Sequence, residues 1–391
     1  MIQFASIFSQ MLAIFSRSEF ETAVRKHRAE RAAKGFGCWT QFVAMLFCQL
    51  GRAHSLREIC GGLASVEGKL QHLGVGRAPV RSTLSYANAH RPAALFEEIF
   101  YGLLGRCQAV VGPRKFRFKN KLYSLDATVI DLCLAVFDWA KFRRAKGAVK
   151  LHLLLDHDGY LPTFCVMTEG RVHEINVART LELPSGAILV IDRGYVDYLW
   201  LDQLDANGVF FVTRLKDNAV FSVEAKLSDP KGCILADEVI LVPGSGQSLN
   251  EARVLRRVVV WDEVNEREIV LLTNNFKLAA TTIAALYKER WQIEIFFKAI
   301  KQNLKIKTFV GTSANAVRIQ IWTALIAILL LKYLQMRSRL NWSLSNLVAL
   351  LRMNLFVHRD LWKWVDEPYE PPQPPLTNAQ HVFDFARTWT A

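Results

Sequence analysis

Residues 187–195 have the sequence Ala-Ile-Leu-Val-Ile-Asp-Arg-Gly-Tyr, in which five apolar residues are followed at once by an acid. A short apolar run of this kind predicts a strand that is buried on both faces. The pattern around it predicts a meander of three strands and then alternating helices and strands, with strands at 122–136, 149–155, 161–167 and 209–213 and helices at 174–183 and 196–206. This order predicts an α/β fold with a mixed sheet.

The rest of the chain divides around this segment. We predict helices over residues 1–115, an α/β core over 116–312, and helices with a proline-rich tail over 313–391. Within the core, residues 215–275 contain three further strand patterns and glycine-rich turns, which predicts a β-rich insertion.

The N-terminal region contains several helix start and stop signals. Ser55 and Glu58 form a capping-box pattern, and Gly61-Gly62 is expected to end that helix. Ser82 or Thr83 is expected to cap a helix that ends at His90. Short helices with glycine turns suit a helix-turn-helix-like DNA-binding module, and a plain helical bundle is the alternative.

The charge of the chain points to a polyanionic partner. Lys and Arg number 49 against 36 Asp and Glu, which gives a formal charge of +13. Nucleic acid is the first candidate, and an anionic membrane surface is the competing one. Seven cysteines without a CxxC pair indicate a reduced, cytoplasmic protein. The apolar run Ile321–Leu331 is shorter than the roughly 20 residues needed to cross a bilayer, so we expect a buried core helix and no membrane association.

The most informative helix pattern covers residues 281–304. At about 100° per residue, one face is apolar and the other carries five polar residues with a single acid among them: Tyr287, Arg290, Glu294, Lys298 and Lys301. Glu294 has Arg290 and Lys298 each four residues away, so a surface ion pair is one interpretation. The other is a carboxylate that holds a divalent metal while the cations hold DNA phosphates.

Two further acids occupy positions where a metal site is expected. Asp126 lies inside an apolar strand pattern, where an unpaired carboxylate is costly. Asp192 directly follows the apolar run, and ligands collect at the carboxyl ends of strands in α/β sheets; its alternative role is the N-cap of the next helix. Asp131, Asp138 and Asp156 are the rival acids.

These residues carry a family resemblance. Tyr287, Arg290, Glu294 and Lys301 match the Y-x2-R-x3-E-x6-K signature of DDE transposases from bacterial insertion sequences. Asp126-Ala127-Thr128 resembles the first-aspartate motif of that family, and the sequence from Asp192 to Tyr195 resembles the second. The β-rich insertion between the second aspartate and the glutamate is also similar. The resemblance is clear over residues 121–311.

The resemblance implies a ribonuclease H-like catalytic core in which Asp126, Asp192 and Glu294 bind two Mg²⁺ ions, with Mn²⁺ as a substitute. It implies cut-and-paste transposition by a dimer that acts on double-stranded DNA, namely paired inverted-repeat ends and a target, in the bacterial cytoplasm at the nucleoid. The DNA contacts that we expect are Tyr287, Arg290, Lys301, Lys298 and Arg193, and Trp261, the one tryptophan of the insertion, as the aromatic residue that holds a flipped base.

Two other functions are considered. A catalytically silent DNA-binding protein derived from a transposase would need the cations but not the three acids, all of which are present. A two-carboxylate hydrolase acting on sugars would leave the basic balance of the chain and the Arg and Lys face without a role.

Overall fold

The structure is a computed structural model that describes residues 5–370, apart from short gaps at 32, 34, 67, 113–119, 133–136, 138, 140, 144–145, 244–251, 305 and 307. Asp138, the glycine-rich turn at 244–246 and the proline-rich tail beyond residue 370 therefore lie outside the described residues. Six helices precede the sheet: α1 (Ile7–Leu12), α2 (Arg17–Lys26), α3 (Cys38–Leu50), α4 (Leu56–Ala64), α5 (Arg81–His90) and α6 (Ala94–Ala109).

A single mixed sheet forms the centre of the chain, which confirms the predicted α/β class. Its first half contains β1 (Leu122–Leu132), β2 (Lys141–Arg143), β3 (Lys146–Asp156), β4 (Leu161–Glu169), β5 (Ile188–Ile191) and β6 (Phe210–Arg214). Strands β1, β3 and β4 form the antiparallel meander, and β5 and β6 lie parallel to β1 on its other side. Helices α7 (Glu174–Ala178) and α8 (Tyr198–Ala206) connect these strands.

The predicted β-rich insertion extends this same sheet. Its four antiparallel strands are β7 (Ser222–Ser228), β8 (Ile234–Val242), β9 (Arg253–Asp262) and β10 (Arg267–Thr273). Outward from β6 they lie in reverse chain order, with β10 next to β6 and β7 at the edge. Strand β10 pairs with β6, with Leu271 opposite Arg214. The insertion is therefore continuous with the core sheet. Strand β7 was not expected, and every one of its residues is exposed because it forms the outer edge.

Up to residue 370, five helices follow the sheet: α9 (Ala280–Glu289), α10 (Trp291–Asn303), α11 (Ala314–Arg337), α12 (Leu344–Asn354) and α13 (Leu361–Asp366). The predicted continuous helix over 281–304 is wrong, because the chain is interrupted at Arg290. The N–H of Arg290 bonds to the carbonyl of Tyr287, three residues back, which tightens the turn between α9 and α10.

Helix α11 is the centre of the helical part. It has 24 residues and is apolar and long enough to cross a membrane, so the expectation that this apolar segment is too short is wrong. The expected role as a core helix holds, since 83% of its most apolar window is buried inside the fold. It packs against α3, α5, α6 and α12, so the N-terminal and C-terminal helices share one apolar cluster with a face of the meander.

The N-terminal helix signals were partly right. Ser55 accepts a hydrogen bond from the N–H of Glu58 at 3.2 Å, as the capping box predicts. Helix α4 nevertheless continues through Gly61-Gly62 to Ala64. A Cβ at position 62 would lie 2.9 Å from the ring of Phe47, so close packing against that ring accounts for the glycine there.

The helix expected to end at His90 also differs at its start. Helix α5 begins at Arg81, so Ser82 and Thr83 lie in its first turn and do not cap it. Residues 65–80 separate α4 from α5, which is longer than the roughly 3–4-residue turn of a helix-turn-helix.

Candidate active site

The two predicted aspartates lie side by side at the centre of the sheet. Strands β1 and β5 are parallel neighbours, and Leu125 pairs with Ile191. Asp126 is the next residue on β1, and Asp192 directly follows the end of β5. Adjacent strands lie about 4.8 Å apart, so the two aspartates lie next to each other at the same level of the sheet. Asp192 also caps the turn at residues 193–195, where one of its carboxylate oxygens accepts a hydrogen bond from Gly194 N–H at 3.3 Å.

Glu294 reaches the same place from helix α10, which packs on β1. The side chain of Arg290 lies between the acids. Its Nη2 is 2.7 Å from Glu294 Oε1, and its Nη1 is 3.9 Å from Asp126 Oδ2. The Nε of Arg290 is buried and has no hydrogen-bond partner among the described residues. The ion pair that we considered for Glu294 is therefore present, and it also extends to Asp126.

A cleft of about 360 Å³ opens beside these acids. Its walls come from β1 and α10 and include two acids and two lysines. The lining residues are Asp126, Ala127, Thr128, Glu294, Phe297, Lys298, Lys301 and Gln302. Lys298 is exposed at its rim. Lys301 donates to the carbonyl of Val129 at 3.0 Å, which fixes its ammonium against the strand that carries Asp126.

Burial perturbs the electrostatics of Asp126 most strongly. The pKa of its carboxyl is raised from 3.8 to about 6, mainly by burial and to a smaller extent by the negative charges of Glu294 and Asp192. The N–H of Ala127, which donates to the carboxylate at 2.8 Å, and the guanidinium of Arg290 act in the opposite direction. Because a bound cation would favour the ionised form, this environment is suited to a metal ligand.

The donor set fits a hard divalent cation, since Mg²⁺ prefers carboxylate oxygens. Among the residues that the structure describes, no three Asp, Glu, His or Cys side chains are arranged to hold one ion together. Asp126 lies within electrostatic reach of both Asp192 and Glu294, while Arg290 bridges Asp126 and Glu294. By chemistry the three carboxylates suit a divalent cation, and Arg290 contacts Glu294 and reaches Asp126 in this structure.

The other predicted DNA contacts lie around this centre. The ring centroid of Tyr287 is 5.8 Å from the guanidinium carbon of Arg290. Arg193 is exposed beside Asp192 and forms an ion pair with Asp217 at 2.8 Å. Trp261 is 39% exposed near the end of β9, where its partner is Glu268. The register of β10 with β6 puts this end of β9 at the same end of the sheet as Asp192.

Sequence reasoning missed two residues near the site. Val190 pairs with Val212, so Arg214 at the end of β6 is level with Asp192, and its charge acts on the pKa of Tyr287. The strand-end argument that identified Asp192 applies equally to Arg214, which follows the apolar strand pattern at 209–213. Trp291 is 58% exposed, three residues before Glu294 on α10. Its place in the amphipathic pattern gave no indication of such exposure.

Comparisons with family models and with known sequences agree with each other. A family model described as a transposase DDE domain matches residues 117–330, and a domain of unknown function, DUF4372, matches residues 3–76. The chain is 34% identical to a putative transposase, y4zB, from Sinorhizobium fredii, over 78% of this chain and 85% of that protein. It is 31% identical to a probable transposase for the insertion sequence element IS5377 from Geobacillus stearothermophilus, over 68% of this chain and 70% of that protein.

Among solved structures, a piggyBac transposase synaptic complex with hairpin DNA aligns with a TM-score of 0.45 and 9% identity. The alignment covers 93% of this chain and 82% of that chain.

Proposed function

This chain belongs to the DDE transposases of bacterial insertion sequences, and we propose that it cuts and joins DNA with Asp126, Asp192 and Glu294 as its catalytic carboxylates. Enzymes of this family cleave DNA during transposition and use divalent metal ions. The observation that carries the residue assignment is the Leu125–Ile191 pairing, which puts the two aspartates on adjacent strands beneath the helix that carries Glu294.

Asp126, Asp192 and Glu294 would hold two Mg²⁺ ions, with Mn²⁺ as a substitute. When bound, such ions activate the attacking oxygen and stabilise the leaving oxygen in phosphodiester chemistry. Water would attack the phosphate at the transposon end, so that a new P–O bond forms as the bond to the 3′-oxygen breaks. The freed 3′-hydroxyl would then attack the other strand and later the target.

The cations of the site would hold the scissile DNA backbone. Arg290 and Lys301 are fixed by contacts to Glu294 and to the carbonyl of Val129, so they are ordered before DNA arrives. This order lowers the entropy cost of positioning a phosphate next to the carboxylates. The remaining proposed contacts of this surface are Tyr287, Lys298, Arg193 and Arg214.

The sheet order supports a ribonuclease H-like core, because three antiparallel strands are followed by two strands parallel to the first. We assign this core to residues 116–312, with 215–275 as its insertion. Residues 1–115 would be the end-binding region, and residues 313–391 the C-terminal helices and tail. The common apolar cluster of the flanking helices implies that these regions fold together.

Helix α5 is the best-supported contact with the transposon ends. Residues 68–96 include four Lys and Arg residues and no acid. The exposed side chains of α5 are polar or aromatic, namely Arg81, Ser82, Thr83, Ser85, Tyr86 and His90. On its buried face, Asn88 accepts from Gln41 at 2.8 Å, which fixes the helix to α3. A rigid helix of this composition fits the major groove of a terminal inverted repeat.

We propose that a dimer pairs the two ends and acts on chromosomal DNA in the bacterial cytoplasm. Trp261 would hold a base that is flipped out when a hairpin closes. The whole function is tested with purified protein and a plasmid that carries the flanking ends of its own gene. The expected result is Mg²⁺-dependent cleavage at the repeat boundaries that EDTA abolishes. Binding of the ends without any cleavage would indicate the catalytically silent alternative.

A further inference from the structure

A buried polar cluster lies beneath the proposed site, and the reaction does not use it directly. His157, in the turn between β3 and β4, is 8% exposed. Its Nε2 is 2.7 Å from the hydroxyl of Ser124. Its Nδ1 faces the carboxylate of Glu289 at 3.8 Å, and the hydroxyl of Tyr160 donates to the same carboxylate at 3.3 Å.

The order serine, histidine, glutamate is that of a nucleophilic triad, but burial excludes this role. The side chain of Ser124 has no exposed surface, so no substrate reaches its hydroxyl. A nucleophile needs an accessible oxygen as well as a base within hydrogen-bond reach. Any effect of the cluster on the reaction therefore has to pass through the strand and helix that it connects.

Those elements carry the catalytic residues. Ser124 lies on β1 two residues before Asp126, so the side chains of both point to the same face of the strand. Glu289 is the last residue of α9 and directly precedes Arg290, whose guanidinium lies between Asp126 and Glu294. His157 therefore lies between Ser124 and Glu289: it is hydrogen-bonded to the first, and its Nδ1 lies 3.8 Å from the carboxylate of the second, beyond hydrogen-bond distance.

The turn that holds His157 is itself fixed in place. The N–H of His157 donates to the carbonyl of Leu122 at 3.0 Å. Lys121 forms ion pairs with Asp156 at 2.8 Å and with Asp158 at 2.9 Å. The turn is therefore attached to the start of β1 on both sides of the imidazole, and it can serve as a rigid support.

We propose that His157 is a positioning residue that sets the junction of α9 and α10 against β1, and so sets the distance of Arg290 and Glu294 from Asp126. A displacement of about 1 Å in a catalytic group can cost about 100-fold in rate. The inference rests on the proposed function, because it assigns His157 a role only in that site.

The test compares His157→Phe with His152→Phe in the full-length protein. His152 is also buried, is one strand position from the level of Asp126, and bonds to Thr168 at 2.9 Å rather than to a catalytic element. Three quantities are measured for each variant: Tm, the Kd for a transposon end, and the single-turnover cleavage rate at saturating DNA.

We expect His157→Phe to cleave about 10- to 100-fold more slowly, with the Kd for DNA nearly unchanged. His152→Phe should lower Tm by a similar amount yet cleave near the wild-type rate. Glu289→Ala should behave like His157→Phe, and Glu289→Gln, which still accepts from Tyr160, should recover part of the rate.

A second readout does not depend on activity. His157→Phe should need several-fold more Mg²⁺ for half-maximal thermal stabilisation of the DNA-free protein, and His152→Phe should not. Equal rate losses in the two histidine variants, or an unchanged rate in His157→Phe, would overturn the proposal. If Asp126→Asn also cleaved normally, the proposed function itself would fail, and the two failures are therefore distinguishable.

Discussion

Asp126 and Asp192 follow directly after a pair of residues that face each other across two parallel strands, so their carboxylates are neighbours although 66 positions separate them in the chain. Burial of Asp126 in this arrangement is costly in its ionised form.

The first prediction concerns the pH dependence of stability without metal. The folded pKa of Asp126, about 6, lies above its ordinary value of 3.8. A raised pKa gives stability that is complete below pH of about 4 and is lost as pH rises through about 6, amounting to about 3 kcal/mol at most. Asp126→Asn should therefore gain Tm relative to wild type as pH increases from about 5 to about 8.

The control for this measurement is Asp131→Asn, because Asp131 is exposed on the same strand. Its difference in Tm from wild type should stay constant over the same range. Mg²⁺ should stabilise the wild-type protein at neutral pH and lose that effect as Asp126 becomes protonated, since a carboxylate ligand must be ionised. A pH-independent Tm difference for Asp126→Asn would contradict the raised pKa.

Arg290 gives the second prediction. Its guanidinium contacts Glu294 and reaches Asp126, and a lysine cannot make both contacts because it presents one compact charge. Arg290→Lys should lower the cleavage rate about 100-fold while end binding changes less than about 5-fold. Lys288→Ala is the matched control, since Lys288 is exposed on the preceding helix. A wild-type rate for Arg290→Lys would show that charge alone is sufficient.

The third prediction concerns the attachment of the insertion. Arg256 and Asp237 form a buried two-bond ion pair, at 2.8 and 2.9 Å, between β9 and β8. Arg256 also donates to the carbonyl of Leu278, just before α9. Asp237→Ala should cost about 3 to 5 kcal/mol of unfolding free energy, because it leaves a buried charge without its partner.

The neighbouring pair of Arg257 and Glu238 is the control, since it is more exposed. Glu238→Ala should cost less than Asp237→Ala in the same chemical denaturation experiment, because water reaches this pair more easily. Similar losses of unfolding free energy in the two variants would mean that deeper burial of the Arg256–Asp237 pair does not increase its contribution to stability.

Trp261 gives the fourth prediction. If it holds a flipped base, Trp261→Ala should leave the first nick unchanged and slow hairpin closure about 10-fold or more, because base stacking on an aromatic ring is worth about 1 to 3 kcal/mol. The two steps are separated on denaturing gels with an end-labelled transposon end. If Trp291→Ala slowed closure and Trp261→Ala did not, the role would belong to helix α10.

Much of this fold could be predicted from sequence, because local patterns determine it. The apolar run before Asp192 and the β-forming residues of β1, β3 and β4 identify the sheet. The turn at Arg290 could not be foreseen, since its backbone stays in the right-handed helical region and only the hydrogen-bond pattern changes. Strand β7 was missed because an exposed edge leaves no burial pattern to recognise.

In the site as well, residues marked by a local sequence pattern could be predicted, and residues defined by contacts distant in the sequence could not. Strand-end position identifies Asp192 and helix spacing identifies Glu294, whereas Asp126, inside its strand, depends most on the family resemblance. Residues whose role depends on distant contacts stay hidden: His157 occupies an ordinary turn in the sequence, and its two partners, Ser124 and Glu289, are 33 and 132 positions away. The strand register was needed to show that Arg214 lies level with Asp192.

The most direct test of the central claim is the Mg²⁺-dependent cleavage rate of Asp126→Asn, Asp192→Asn and Glu294→Gln on paired transposon ends, measured together with the Kd for one end. Asp131→Asn serves as the matched control. We predict that each of the three variants loses cleavage by at least about 1,000-fold and binds the ends within about 3-fold of wild type, while the control cleaves normally. Normal Mg²⁺-dependent cleavage by any one of the three would contradict its assignment as a catalytic carboxylate.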